Sequence, residues 1–162
     1  MKHWFAVCSM LILVLCTLPC EVLAQKSSVG GRFGISFGSG GGASEAGLQL
    51  GPAFDYEFSK GMIVGTEFNI NTQTGTPIEW PFYFKYLIPM KTSKTVAYVD
   101  GGFGLWLATG GPFFGIRFGG GAYFNVGPNL SVPADLQLGP VFVAGTSAFY
   151  FALTSGIRYT LP

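Results

Sequence analysis

The side chains of this chain that could do chemistry are few. Among cations they are Arg32, Lys85, Arg117 and Arg158, and among carboxylates Asp55, Glu57, Glu67, Glu79, Asp100 and Asp135. Cations and carboxylates in comparable number, scattered along a chain with only 10% charged residues, point first to ion pairing. Asp55 and Glu57 form the one close carboxylate pair that could activate a water. Two acids one residue apart on a single wall more readily serve as partners for cations. Histidine, the side chain best poised for proton transfer near neutral pH, occurs once, at His3, and the three cysteines are Cys8, Cys16 and Cys20. All four lie in the first 20 residues. Gly40-Gly41-Gly42 and Gly119-Gly120-Gly121 lack the Lys-Ser/Thr that would make a phosphate loop, and no metal-ligand spacing appears. These features predict no catalytic residue, no metal and no cofactor, hence no enzyme.

The elements that position the ten charged residues are legible from their phase. All ten fall on the same alternate positions, opposite a phase of Phe, Leu, Ile, Val, Tyr and Trp. In the stretch 45–58, Ala46, Leu48, Leu50, Pro52, Phe54, Tyr56 and Phe58 face one way, while Gln49, Asp55 and Glu57 face the other. Such period-two alternation marks strands. An apolar face that recurs in every strand marks a barrel whose outer wall meets lipid.

Eight such segments are predicted, at about 29–38, 45–58, 62–72, 78–89, 95–107, 113–126, 131–143 and 148–161, joined by Gly-, Pro- and Ser-rich connections. Each reaches the roughly 9–11 residues that a tilted strand needs to cross hydrocarbon. Pro52, Pro81, Pro133 and Pro140 fall within strands, where a closed barrel offers no free edge for proline, so bulges or strand ends are expected there. Phe58, Tyr86, Phe124 and Tyr159 are expected in one aromatic girdle, and Phe37, Trp80, Phe114 and Phe149 in the other.

Upstream of the strands, Lys2 and His3 precede an apolar run from Trp4 to Leu18, and Val22-Leu23-Ala24 precedes Gln25. This order is that of a secretory signal peptide over residues 1–24, cleaved after about Ala24. The run is too short for a membrane helix, which needs about 20 apolar residues. Without Lys2 and Glu21, the nine basic and eight acidic residues become eight and seven, still a net charge of +1. That balance offers nothing to a nucleic acid, which calls for clustered positive charge.

The C-terminal run Thr154-Ser155-Gly156-Ile157-Arg158-Tyr159-Thr160-Leu161 resembles the insertion signal that bacterial outer-membrane barrels present to their assembly machinery. Thr154, Gly156, Tyr159 and Leu161 stand at its polar, glycine and hydrophobic positions. With the leader and the eight strands, residues 25–162 resemble a small outer-membrane barrel of the OmpA transmembrane-domain or OmpX type. The resemblance implies an all-β, eight-stranded antiparallel up-and-down transmembrane barrel in the bacterial outer membrane, monomeric, with lipid and the barrel-assembly machinery as partners.

An eight-stranded barrel is narrow enough for its own side chains to fill. The ten charges are therefore expected to form a lumen ion-pair network. Strand adjacency places Lys85 between Glu67 and Asp100, Arg32 near Asp55 or Glu57, and Arg158 near Asp135. A structural, envelope-integrity role follows. The alternatives are a narrow passive pore or small-ligand channel, a surface-binding protein, which the short external loops disfavour, and a lipid A-modifying enzyme, which the missing histidine disfavours.

Overall fold

A computed structural model describes residues 26–40, 43–74, 77–90, 94–108, 110–143 and 146–162. The signal peptide predicted over residues 1–24 lies outside the described residues. Nine strand segments are present: β1 (Lys26–Gly40), β2 (Ala43–Ser59), β3 (Met62–Glu67), β4 (Asn69–Asn71), β5 (Ile78–Ile88), β6 (Thr95–Ala108), β7 (Gly111–Asn125), β8 (Leu130–Val143) and β9 (Thr146–Thr160). β3 and β4 are two halves of one crossing, so eight strands span the wall. Every pairing is antiparallel, and β1 bonds to both β2 and β9. The sheet is therefore closed and has no edge.

The pairing also fixes how the sheet closes. From Ser27 the register runs through Tyr56, Val64, Phe84, Gly101, Phe118, Leu138 and Phe151 and returns to β1 at Phe37. The circuit thus arrives ten residues along the starting strand. With ordinary strand spacing and rise, a stagger of ten over eight strands tilts them by roughly 40°. Both described ends of the chain lie at one mouth, since Ser28 pairs with Thr160. The tight turn at Ser59-Lys60-Gly61 lies at the same mouth; there Gly61 takes φ +77°, a conformation that favours glycine.

Alternation sorts the side chains as expected. In β5, Glu79, Pro81, Tyr83 and Lys85 are buried, while Trp80, Phe84, Tyr86 and Ile88 are exposed. The same inversion holds around the wall, with Phe33, Leu50, Phe103, Phe118, Phe142 and Ile157 outside and Arg32, Gln49, Asp100, Arg117, Asp135 and Thr154 inside. An apolar surface this continuous is a solvent mismatch in water, and a bilayer removes the mismatch.

The prolines produce no bulge. Pairing between β2 and the β3–β4 crossing keeps one register from Ala53–Glu67 to Gln49–Asn71. The break at Phe68 arises because Phe68 donates its N–H to the Pro52 carbonyl (3.0 Å), and Pro52 has no N–H to return. On the other side Pro81 faces Glu67 in the same way. Its carbonyl instead accepts the Thr66 hydroxyl at 2.8 Å. At Pro133 and Pro140 the ladders skip residues and resume in register. The register shift in β2 lies instead between Glu57 and Ser59, beside the tight turn.

All eight expected girdle residues are exposed or lie on the outer face, but Trp80 differs from the expectation in its polar end. Its indole N–H donates to Thr66 Oγ1 at 3.0 Å, so it is satisfied within the wall and needs no headgroup. Trp80 joins a ribbon of rings that continues through Phe82, Phe103, Phe114 and Phe142, with centroids 5.2 to 6.5 Å apart.

Candidate functional site: the charged lumen

The inner wall carries two hubs. Nearer the terminal mouth, Asp55 is reached by Arg158 Nε (3.1 Å) and Lys85 Nζ (3.5 Å). It also accepts hydrogen bonds from the Tyr83 hydroxyl (3.0 Å) and the Tyr123 hydroxyl (3.1 Å). Lys85 donates to Tyr123 Oη as well, at 3.1 Å, and its ammonium lies 4.3 Å from the centre of the Tyr83 ring. Arg158 stacks over Tyr123 at 4.5 Å. The Tyr83 and Tyr123 rings thus line the cations that neutralise one buried carboxylate.

Glu67 organises the second hub. Its carboxylate meets Arg32 Nε at 3.0 Å and accepts the Asn69 amide at 3.0 Å. Arg32 also donates through Nη1 to Asp135, which accepts the Thr154 hydroxyl at 3.3 Å. Arg117 Nη1 donates to Glu79 at 2.8 Å, with Nη2 3.9 Å from Glu67. The chain of contacts then passes from Glu79 to the Tyr150 hydroxyl (3.0 Å), itself 2.7 Å from Gln49 Oε1. Beyond it, Trp106 packs edge-on against Tyr150 and over Val141 and Ala152. A cavity of about 10 Å³ beside Ser28, Arg32, Asp55 and Arg158 has room for about one water.

Eight of the ten expected lumen charges are buried, and Arg158 is partly buried at 15% of its side-chain surface. Two memberships and three pairings need correction. Glu57 stands outside the network: its Oε1 accepts the Gly61 N–H at 2.9 Å, and it fastens the turn. Asp100 is buried but makes no ion pair among the described residues, although it sits directly opposite Lys85. Lys85 pairs with Asp55, not with Glu67 or Asp100. Arg32 pairs with Glu67 and Asp135, not with Asp55 or Glu57, and Arg158 pairs with Asp55, not with Asp135.

One physical reason accounts for all three pairings. Residues opposite one another on adjacent strands are about 5 Å apart, too close for an extended Lys or Arg, whereas two strands span roughly 10 Å. These ion pairs cross an intervening strand at or beside an inward glycine. Arg32 passes Gly51 on β2 to reach Glu67, and Gly156 on β9 to reach Asp135. Lys85 stands opposite Ile63 on β3 and reaches Asp55 past the next inward residue, Gly65, while Arg158 stands opposite Gly30 on β1 and Arg117 opposite Gly102 on β6. At Gly65 the space is already taken: an added Cβ would lie 2.4 Å from the Tyr83 ring and 2.5 Å from Asp55 Oδ1. The inward glycines were the missed signal.

No protein-family model and no curated protein sequence matches the chain. Among solved structures, Neisserial surface protein A superposes with a TM-score of 0.70 at 15% identity, covering 82% of this chain and 96% of that one. The fold is that of the small outer-membrane barrels. The N-terminal β-barrel domain of Pseudomonas aeruginosa OprF gives 0.66 at 12% identity (83% and 97% covered), and OprG from the same organism gives 0.57 at 12% (85% and 96%). Together with its own lipid-facing exterior, the likeness makes this chain an integral membrane β-barrel of the outer-membrane type.

Proposed function

We propose that this chain is a monomeric structural component of the bacterial outer membrane whose barrel is plugged by its own side chains. One observation carries the reading: five carboxylates and four cations, with Tyr83, Tyr98, Tyr123, Tyr150 and Trp106, are packed across the lumen. Charges so enclosed hold the wall together, because removing one partner of a buried pair costs about 3–5 kcal/mol. The lumen carboxylates other than Asp100 are engaged by cations, which supports a non-enzymatic role.

The C-terminal strand supports assembly by the barrel-insertion machinery. Thr154 and Gly156 face inward, and Tyr159 and Leu161 face outward, so the polar and hydrophobic positions of the signal fall on opposite faces of β9. Export would use the leader over residues 1–24.

The test is Lys85→Met in the refolded barrel. A structural plug predicts a clear loss of thermal stability in detergent micelles, with single-channel conductance in planar bilayers at background for both proteins. Unchanged melting would reject the structural role. Steady single-channel openings of the unaltered protein would replace it with a narrow passive pore.

A further inference from the structure

The enclosed charges do not balance. Asp55, Glu67, Glu79, Asp100 and Asp135 face Arg32, Lys85, Arg117 and Arg158, one carboxylate more than the cations. Asp100 is the carboxylate left over. It is 8% exposed, and neither oxygen has a hydrogen-bond partner among the described residues. An unpaired buried carboxylate is among the costlier features a fold can carry.

Its surroundings are specific. Asp100 and Tyr98 project inward from β6, and Gln137 and Asp135 from β8. Between them β7 presents only Gly119 and Gly121, in register with Asp100 and Gln137 and with Tyr98 and Asp135 respectively. Side chains lean over this floor: a Cβ on Gly119 would lie 3.1 Å from Gln137 Cγ, and one on Gly121 3.0 Å from Asp135 Oδ1. The same glycine gap that elsewhere lets a cation reach a carboxylate here brings carboxylates toward an amide and a phenol.

The unpartnered atoms around the floor are Asp100 Oδ1 and Oδ2, Asp135 Oδ1, Gln137 Oε1 and Nε2, and Tyr98 Oη. All but one are oxygens. Lys85, opposite Asp100, is committed to Asp55 and Tyr123; Arg117, the next inward residue on β7, donates to Glu79 through Nη1, lies 3.9 Å from Glu67 through Nη2, and has no hydrogen-bond acceptor at Nε or Nη2 among the described residues.

We propose that Asp100, Asp135, Gln137 and Tyr98, set around the Gly119–Gly121 floor, bind one monovalent metal cation of the sodium or potassium class. Hard cations take oxygen ligands, and the single excess negative charge calls for a single positive one. Among the described residues no three acidic, histidine or cysteine groups are placed to hold a metal ion, so the Gln137 and Tyr98 oxygens would have to complete the set around the two carboxylates. The inference stands apart from whether the barrel conducts: a tightly held ion completes a plug.

The test uses the refolded full barrel in micelles, melted at matched ionic strength in sodium, potassium or choline chloride. A cation that binds only the folded state raises the midpoint by mass action, so the metal salts should exceed choline by about 3 °C or more. Asp100→Asn should abolish that difference, while Glu57→Gln, at the mouth, should retain it. If Asp100→Asn does not refold, crystals of the unaltered barrel grown in rubidium chloride take its place, with an anomalous peak expected beside the Asp100 carboxylate. Equal midpoints in all three salts, a difference that survives Asp100→Asn, or rubidium crystals without that peak would each overturn the proposal and leave a proton or water as the partner of Asp100.

Discussion

Asp55 and Asp100 are two aspartates on the same inner wall, 4% and 8% exposed, each facing the lumen from the middle of a long strand. Asp55 gathers two cations and two phenol hydroxyls, whereas Asp100 gathers none. Burial does not separate them, and neither does distance along the sheet from a cation, since Lys85 is the register partner of Asp100. The difference lies in what stands one strand further on. Across Gly65 from Asp55 is Tyr83, with Lys85 the next inward residue on β5, and on the other side Arg158 reaches Asp55 from opposite Gly30, the inward neighbour of Ser28. Across Gly119 from Asp100 is the neutral Gln137. In this strongly staggered barrel, ion-pair partners stand two strands apart, and inward glycines leave room for them to meet.

That comparison can be broken at several points. Arg32→Met takes from Asp135 its one ion-pair partner among the described residues and from Glu67 the nearer of its two, and should cost about 3–5 kcal/mol in denaturant unfolding from micelles. A loss under about 1 kcal/mol would mean the hubs are ornamental. Gly65→Ala puts a methyl where Tyr83 and Asp55 already sit, an overpacking worth about 1–3 kcal/mol, and its midpoint should fall accordingly. Glu57→Ala removes one hydrogen bond to the turn and no ion pair, so about 1 kcal/mol is expected, with faster amide exchange at Gly61. Asp100→Asn, measured in choline chloride, removes a charge that no described residue meets in an ion pair or hydrogen bond, and should lie within about 0.5 kcal/mol of the parent or above it. A loss matching that of Arg32→Met would erase the contrast between the two aspartates.

The wall was legible in the sequence, and the wiring of the lumen was less so. Alternation in 45–58 and 78–89 placed Asp55, Glu79 and Lys85 inside and Phe54, Trp80 and Tyr86 outside, because a pleated strand leaves no other choice. Strand ends were less visible. β1 extends over Lys26–Gly40 against an expected 29–38, since small and polar residues at the mouths keep pairing after the apolar signal stops. Partner choice needed the stagger, which comes from the summed registers of all eight crossings and leaves no local mark. The trace that was present, glycine at inward positions such as Gly51, Gly65 and Gly156, is easily mistaken for turn composition. Glu57 shared the inward phase but sits one step from the tight turn, where an amide N–H is nearer than any lumen cation.

The most direct test of strand-skipping pairs is a double-mutant cycle on Lys85→Met with Asp55→Asn, set against the same lysine variant with Asp100→Asn. Coupling of about 1 kcal/mol or more is predicted for Lys85 with Asp55, and under about 0.5 kcal/mol with Asp100. The reverse order would show that register neighbours pair after all, and would contradict the account.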